Sequence, residues 1–173
     1  MNLDAKINMV GFKIAEILDE NMINKLLGVL ANDGVYAMWV YAQNKIDWSF
    51  DSNKKRFEEK TLIKFVKALD FGVEFKIKDK TLKEILDDNH IQEIINLSKN
   101  IEELNSQIKQ LQHKNKQKEL EEIRKQKVKE RNEKFNYFFQ TLSEDLTQLL
   151  FFKEMVEKAL IYARYHAKAM KDE

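Results

Sequence analysis

Three histidines and several pairs of adjacent carboxylates are the side chains here that could do metal or acid–base chemistry. His90 and Glu93 are one helical turn apart, the spacing at which two ligands meet on one face. Metal sites in helical bundles use that spacing twice, as Glu-x-x-His on two helices, whereas here it occurs once and in reverse order. His113 lies in a polar stretch and His166 near the end of the chain, and no second motif completes a site. Asp19-Glu20, Glu58-Glu59 and Asp87-Asp88 are sequence neighbours, so on a helix their carboxylates point different ways, as solvated charges do. No glycine-rich phosphate loop, Walker loop, Gly-x-Ser-x-Gly elbow or zinc-protease motif occurs, and there is no cysteine for thiol catalysis, disulfides or thiolate ligation. The expectation is a non-enzyme with no catalytic residues, no cofactor and no metal.

Phosphate suits the remaining polar side chains better. Lys109, Lys114, Lys116, Lys118, Arg124, Lys125, Lys127, Lys129, Arg131 and Lys134 place ten positive charges in 26 residues against five glutamates. Lysines on a helix can neutralise phosphates and release counterions without reading bases, which makes binding sequence-independent and salt-sensitive. Exposed coiled-coil flanks have the same Glu/Lys composition, so a purely solvating role is the competing reading. Lys54, Lys55 and Arg56 form a second basic cluster, although three consecutive residues span nearly the whole helix circumference. Arg164 and Lys168, four apart, form a third ridge, while Tyr162, Tyr165 and Ala169 recur at spacings of three and four and are expected to pack.

These charges need helices to hold them. Proline is absent and the four glycines are Gly11, Gly28, Gly34 and Gly72, so the last 101 residues contain neither strong helix breaker. The spacing of Ile7, Val10, Ile14, Ile17 and Leu18 predicts an amphipathic helix over 4–19 with Asp4 as N-cap. A turn is expected at Asn32-Asp33-Gly34, followed by a helix to Gln43 that is apolar nearly all round and therefore central. Residues 46–50 and 71–77 alternate, a signal for two short strands or for extended linker, with a helix over 53–69 between them. Thr81 and Glu84 have capping-box spacing.

Ile94, Leu97, Ile101, Leu104, Ile108 and Leu111 alternate spacings of three and four, which asks for a coiled-coil partner. Residues 112–119 contain no apolar side chain, after which Leu120, Ile123, Val128 and Phe135 resume a looser stripe. Either a hairpin with this polar tip pairs the two stripes, or one unbroken helix dimerises. The interruption falls midway between the stripes, which favours the hairpin. The apolar and aromatic segment 136–170 returns to the bundle. The organisation expected is 1–90 as the N-terminal part of the bundle, 91–135 as a basic coiled-coil arm and 136–173 as returning helices.

Formal charge is only +1, but residues 101–135 carry 10 basic against 7 acidic side chains. The first 20 residues lack the order of a signal peptide and no apolar run approaches a bilayer span, so the expectation is a cytoplasmic protein with no membrane partner.

Two segments resemble the small helical subunit of type III-B CRISPR RNA-guided effector complexes. Leu26 to Lys45 has an apolar segment, an Asn-Asp-Gly turn and a hydrophobic helix ending in lysine. Leu142 to Met170 has Ser143-Glu144-Asp145-Leu146 leading into an alanine- and aromatic-rich helix with Ala159, Leu160, Tyr162 and Ala163. The resemblance implies a non-catalytic subunit that stacks along an effector filament and lines the guide–target path with basic residues, in antiviral defence. The basic arm and the strands depart from the compact pattern of that family.

The reading is all-α, a helical bundle with a long coiled-coil hairpin arm and two candidate short strands. Its function is to contact phosphate backbone and neighbouring protein subunits in a ribonucleoprotein complex, with RNA or single-stranded nucleic acid as ligand. The alternative is a coiled-coil scaffold or adaptor that forms a homo-oligomer through the seam and binds proteins without nucleic acid.

Overall fold

A computed structural model describes residues 2–46 and 61–172, and throughout these the chain is helical, with eight α-helices and no strand. They are α1 (Leu3–Ile17), α2 (Glu20–Asp33), α3 (Val35–Lys45), α4 (Thr61–Ala68), α5 (Leu82–Ile85), α6 (Asp88–Gln110), α7 (Lys114–Ser143) and α8 (Leu146–Lys171). Five of them start on a side-chain oxygen that accepts a backbone N–H: Asn2 from Ala5, Asp19 from Met22, Thr81 from Glu84, Asp87 from His90 and Asp145 from Gln148. Asn2, not Asp4, caps α1; Asp4 lies in the first turn, where its charge complements the helix dipole. The chain forms two compact units, one from residues 2–46, 61–85 and 138–172, the other from residues 86–137.

In the first unit α8 is the spine. Phe152, Met155, Val156, Ala159, Leu160, Ala163 and Ala167 bury one of its faces. Helix α1 packs along it, with Gly11 against Ala159 and Ala163 and Asn8 against His166. Antiparallel α2 is tied to α8 by Lys171–Glu20 at one end and Lys153 to the Ala31 carbonyl at the other. Alanine at every fourth position of α8, facing Gly11, lets α1 approach unusually closely. A Cβ on Gly11 would stand 2.7 Å from the Ala159 carbonyl oxygen. The core beneath is aromatic: Trp39 stacks on Phe139 with centroids 4.5 Å apart, and Phe138, Phe152 and Phe71 continue the chain of rings.

The turn expected at Asn32–Gly34 narrows to Gly34, at φ 91°, a conformation few other residues adopt; Asn32 and Asp33 still belong to α2. Helix α3 is not buried all round, because Val35, Met38, Trp39 and Ala42 face inward while Tyr36 and Val40 are exposed. The strand expected at 71–77 is absent. Gly72–Glu74 is a 3-10 turn, Val73 is 78% exposed, and Phe75 packs on Phe152 through a ring contact of 5.0 Å. Lys78 and Asp79, at φ 50° and 66°, form a tight reversal closed by two backbone hydrogen bonds between Ile77 and Lys80, which leaves no length for a ladder. Of the candidate strand 46–50, Ile46 ends α3 and the rest lies outside the described residues, as do residues 53–60 of the helix expected over 53–69, whose remainder forms α4.

In the second unit α6 and α7 lie antiparallel: Lys134 bonds Glu93 near one end, while Gln117 donates to the Leu111 and Ile108 carbonyls near the other. The polar tip is residues 111–113 rather than 112–119, since Lys, Gln and Glu from 114 onward are good helix formers. Burial along the α6 seam is uneven. Ile91, Ile94, Leu97 and Ile101 are buried, whereas Leu104, Ile108 and Leu111 are only half-buried.

Candidate nucleic-acid interface

Helix α7 carries nine of the ten basic residues of the arm; Lys134 pairs with Glu93 at 2.6 Å, and the helix geometry divides the other eight. At 100° per residue, Lys114, Lys118, Lys125 and Lys129 fall within a sector of about 60°, with Leu120 on the far side of the helix and Val128 and Phe135 on the adjoining face. With 1.5 Å of rise per residue, the four form a straight ridge of about 22 Å. All four are exposed.

Two ridge lysines hold local carboxylates: Lys125 pairs with Glu122 at 2.9 Å and Lys129 with Glu133 at 3.8 Å. The hydrogen bond that Lys125 donates to Glu122 raises the lysine pKa, so the ammonium stays charged. Such solvated pairs are worth about 0–1 kcal/mol and exchange readily for phosphate. Lys114 and Lys118 have no ion pair among the described residues.

The other four α7 candidates are not on the ridge. Lys116 borders an open groove at the helix turn with Gln107, Gln110, Leu111, Glu119 and Leu120. Lys127 lies half-buried on another face and reaches Glu130 at 3.9 Å. Arg124 and Arg131 point toward the buried side and are half-buried. Burial pushes the Arg131 guanidinium down to about 10, so it remains protonated at neutral pH, and its Nε and Nη2 lie 3.4 Å from the Asn132 side-chain oxygen. These arginines serve packing through their stems more than an outer ligand.

Lys54, Lys55 and Arg56 lie outside the described residues. Arg164 and Lys168 are on α8, in the first unit, with the Arg164 guanidinium 5.4 Å from the Tyr165 ring centroid. Tyr165 does not pack as its spacing suggested: it is 60% exposed, and Tyr162 is also exposed. The sequence reading therefore missed exposed aromatic residues beside these cations, because three-four spacing marks a helix face without saying which face is covered.

Nothing gathers around the histidines. Among the described residues no three His, Asp or Glu side chains converge as metal ligands. Glu93 is held by Lys134, whose hydrogen bond keeps its carboxyl below the usual range, and His166 Nε2 is 3.0 Å from the Asn8 side-chain oxygen. No helix among the described residues is long and apolar enough to cross a membrane. Comparison with protein-family models, curated proteins and solved structures yields no match.

Proposed function

We propose that this chain is a non-catalytic, cytoplasmic helical subunit of a ribonucleoprotein complex, in which the α7 lysine ridge contacts the phosphate backbone of RNA. The observation that carries the reading is the alignment of Lys114, Lys118, Lys125 and Lys129 on one exposed face. Cations in line along a helix can each meet a successive phosphate of one strand. The sequence resemblance of Leu26 to Lys45 and Leu142 to Met170 to the CRISPR effector small subunit points to a role that would supply position rather than cleavage.

Four phosphates neutralised on a single strand give a slope of log K against log salt of about −2.8, or about 50-fold weaker binding between 50 and 200 mM salt. The test is fluorescence anisotropy with a labelled 12-nucleotide RNA across that range. Changing Lys114, Lys118, Lys125 and Lys129 together to Glu should abolish binding, whereas Lys116→Glu with Lys127→Glu, off the ridge, should leave most of it. Equal losses in the two variants, or none in either, would sink the reading.

A second reading has its own support. Leu104, Ile108 and Leu111 are half-buried and Ile123 is 38% exposed, so the apolar seam is incompletely covered near the helix turn. A coiled-coil scaffold would cover it with a second chain. Sedimentation equilibrium decides: a dimer lost on Leu104→Glu with helicity intact favours the scaffold, and a monomeric parent excludes it.

A further inference from the structure

The α1–α8 surface carries aromatic side chains that the hydrophobic core does not use. Phe12 is 46% exposed and Tyr165 60%, with Tyr162 also exposed between them. They form one strip. Phe12 meets His166 edge-to-face with centroids 5.3 Å apart, and the His166 ring is held by its contact with Asn8. Tyr162 stands one turn before His166 on the same flank of α8, and Tyr165 follows Tyr162 by three residues. Arg164 lies over the Tyr165 ring and Lys168 is exposed one turn beyond it.

The charge around the strip is one-sided. From Lys158 to Lys171 the helix carries Lys158, Arg164, Lys168 and Lys171 and no carboxylate. Lys158 is engaged by Glu154 and Lys171 by Glu20, which leaves Arg164 and Lys168 as the cations next to the aromatics. Glu16, one turn past Phe12 on α1, bounds the strip at the other side. Exposed rings in series with cations along one edge are what a single-stranded nucleic acid requires: bases stack on the rings and phosphates follow the cations. An apolar protein partner would need neither the cations nor the absence of carboxylates.

We infer that Phe12, Tyr162 and Tyr165 form a base-stacking platform for single-stranded nucleic acid, with Arg164 and Lys168 holding the backbone. This rests on the nucleic-acid reading above but on a different helix and a different part of the ligand. The ridge of α7 touches phosphate alone, whereas the platform touches bases. Only the platform distinguishes a strand with bases from one without.

The experiment compares a 12-nucleotide oligoadenylate with an abasic ribose-phosphate oligomer of the same length, both labelled, by anisotropy at one salt concentration. The full chain should bind the oligoadenylate about tenfold more tightly, the stacking contribution of one well-placed ring. Tyr165→Ala with Phe12→Ala should bring the oligoadenylate down to the abasic level, leave abasic binding unchanged and leave the thermal midpoint in place, since both side chains are exposed. Tyr165→Phe should keep the preference. Equal binding of the two oligomers by the parent, or an alanine variant that keeps its preference, overturns the platform and leaves the phosphate ridge standing. Binding of neither oligomer overturns both. An alanine variant with unchanged RNA binding but altered self-association would assign the strip to a protein contact and also overturn the platform.

Discussion

Replacing Gly11 by alanine puts a methyl group 2.7 Å from the Ala159 carbonyl oxygen, 2.8 Å from Tyr162 Cβ and 3.1 Å from the Ala163 nitrogen. Two of those atoms are backbone and the third is a Cβ, so no flexible side chain can give way and α1 must move off α8. Overpacking of this kind costs about 1–3 kcal/mol. Alanine returns about 1 kcal/mol, because glycine is the poorer helix former. The net expectation is destabilisation by about 1 kcal/mol. Gly28 is the internal control: it lies inside α2 and a Cβ there meets nothing within 4 Å. Gly28→Ala should therefore stabilise by about 1 kcal/mol, from helix propensity alone. The assay is urea unfolding followed by the fluorescence of Trp39, buried in the same unit. With a slope of about 2 kcal/mol per molar urea, the midpoints should separate by about 1 M in opposite directions from the parent. If both variants are stabilised alike, the close α1–α8 approach, and with it the placement of Phe12 beside His166, is wrong.

Asp79→Gly should stabilise by about 0.5 kcal/mol, because a residue at φ 66° gains from losing its Cβ, as a thermal midpoint will show. Thr81→Ala removes one half of the capping box closed by Thr81 N–H to Glu84 Oε2 and Glu84 N–H to Thr81 Oγ1, and should cost about 1 kcal/mol in the same urea titration. The backbone N–H of Thr81 holds the Glu84 carboxyl below its ordinary value. Its stabilisation is present above that ordinary value and is lost as pH falls through the lowered one, so Glu84→Gln should flatten the loss of stability measured between about pH 5 and 3. On α6, Ile94→Ala should cost about 2–4 kcal/mol as a buried truncation. Ile108→Ala, at a half-buried site on the same seam, should cost about 1 kcal/mol, and similar losses at both positions by urea titration would show the seam equally covered.

Much of the fold is written in local features. The absence of breakers after Gly72, the chain reversal at Gly34 and the Thr81/Glu84 pair act over a few residues, so they read correctly without tertiary knowledge, although Asn32 and Asp33 stay in α2. The interrupted seam likewise marks where α6 stops and α7 begins, although helix-forming Lys and Glu shorten the polar tip. The alternation at 71–77 misled because period-two burial also arises when a 3-10 turn and a tight reversal drop Phe71, Phe75 and Ile77 onto one surface. A strand needs a partner ladder, and only the tertiary structure can supply or deny one.

The candidate site divides in the same way. Sequence alone determined that basic side chains concentrate after residue 108 and that a helix would hold them, since composition and helix propensity are local properties. It did not determine which cations face water. The covering of α7 left Arg124 and Arg131 half-buried and Lys114, Lys118, Lys125 and Lys129 exposed. Likewise the spacing of Tyr162 and Tyr165 promised a packed face, but α1 covers the side of α8 that carries Ala159, Ala163 and His166 and leaves Tyr165 in solvent. Periodicity sets which residues share a face; what covers that face is decided by residues distant in the chain.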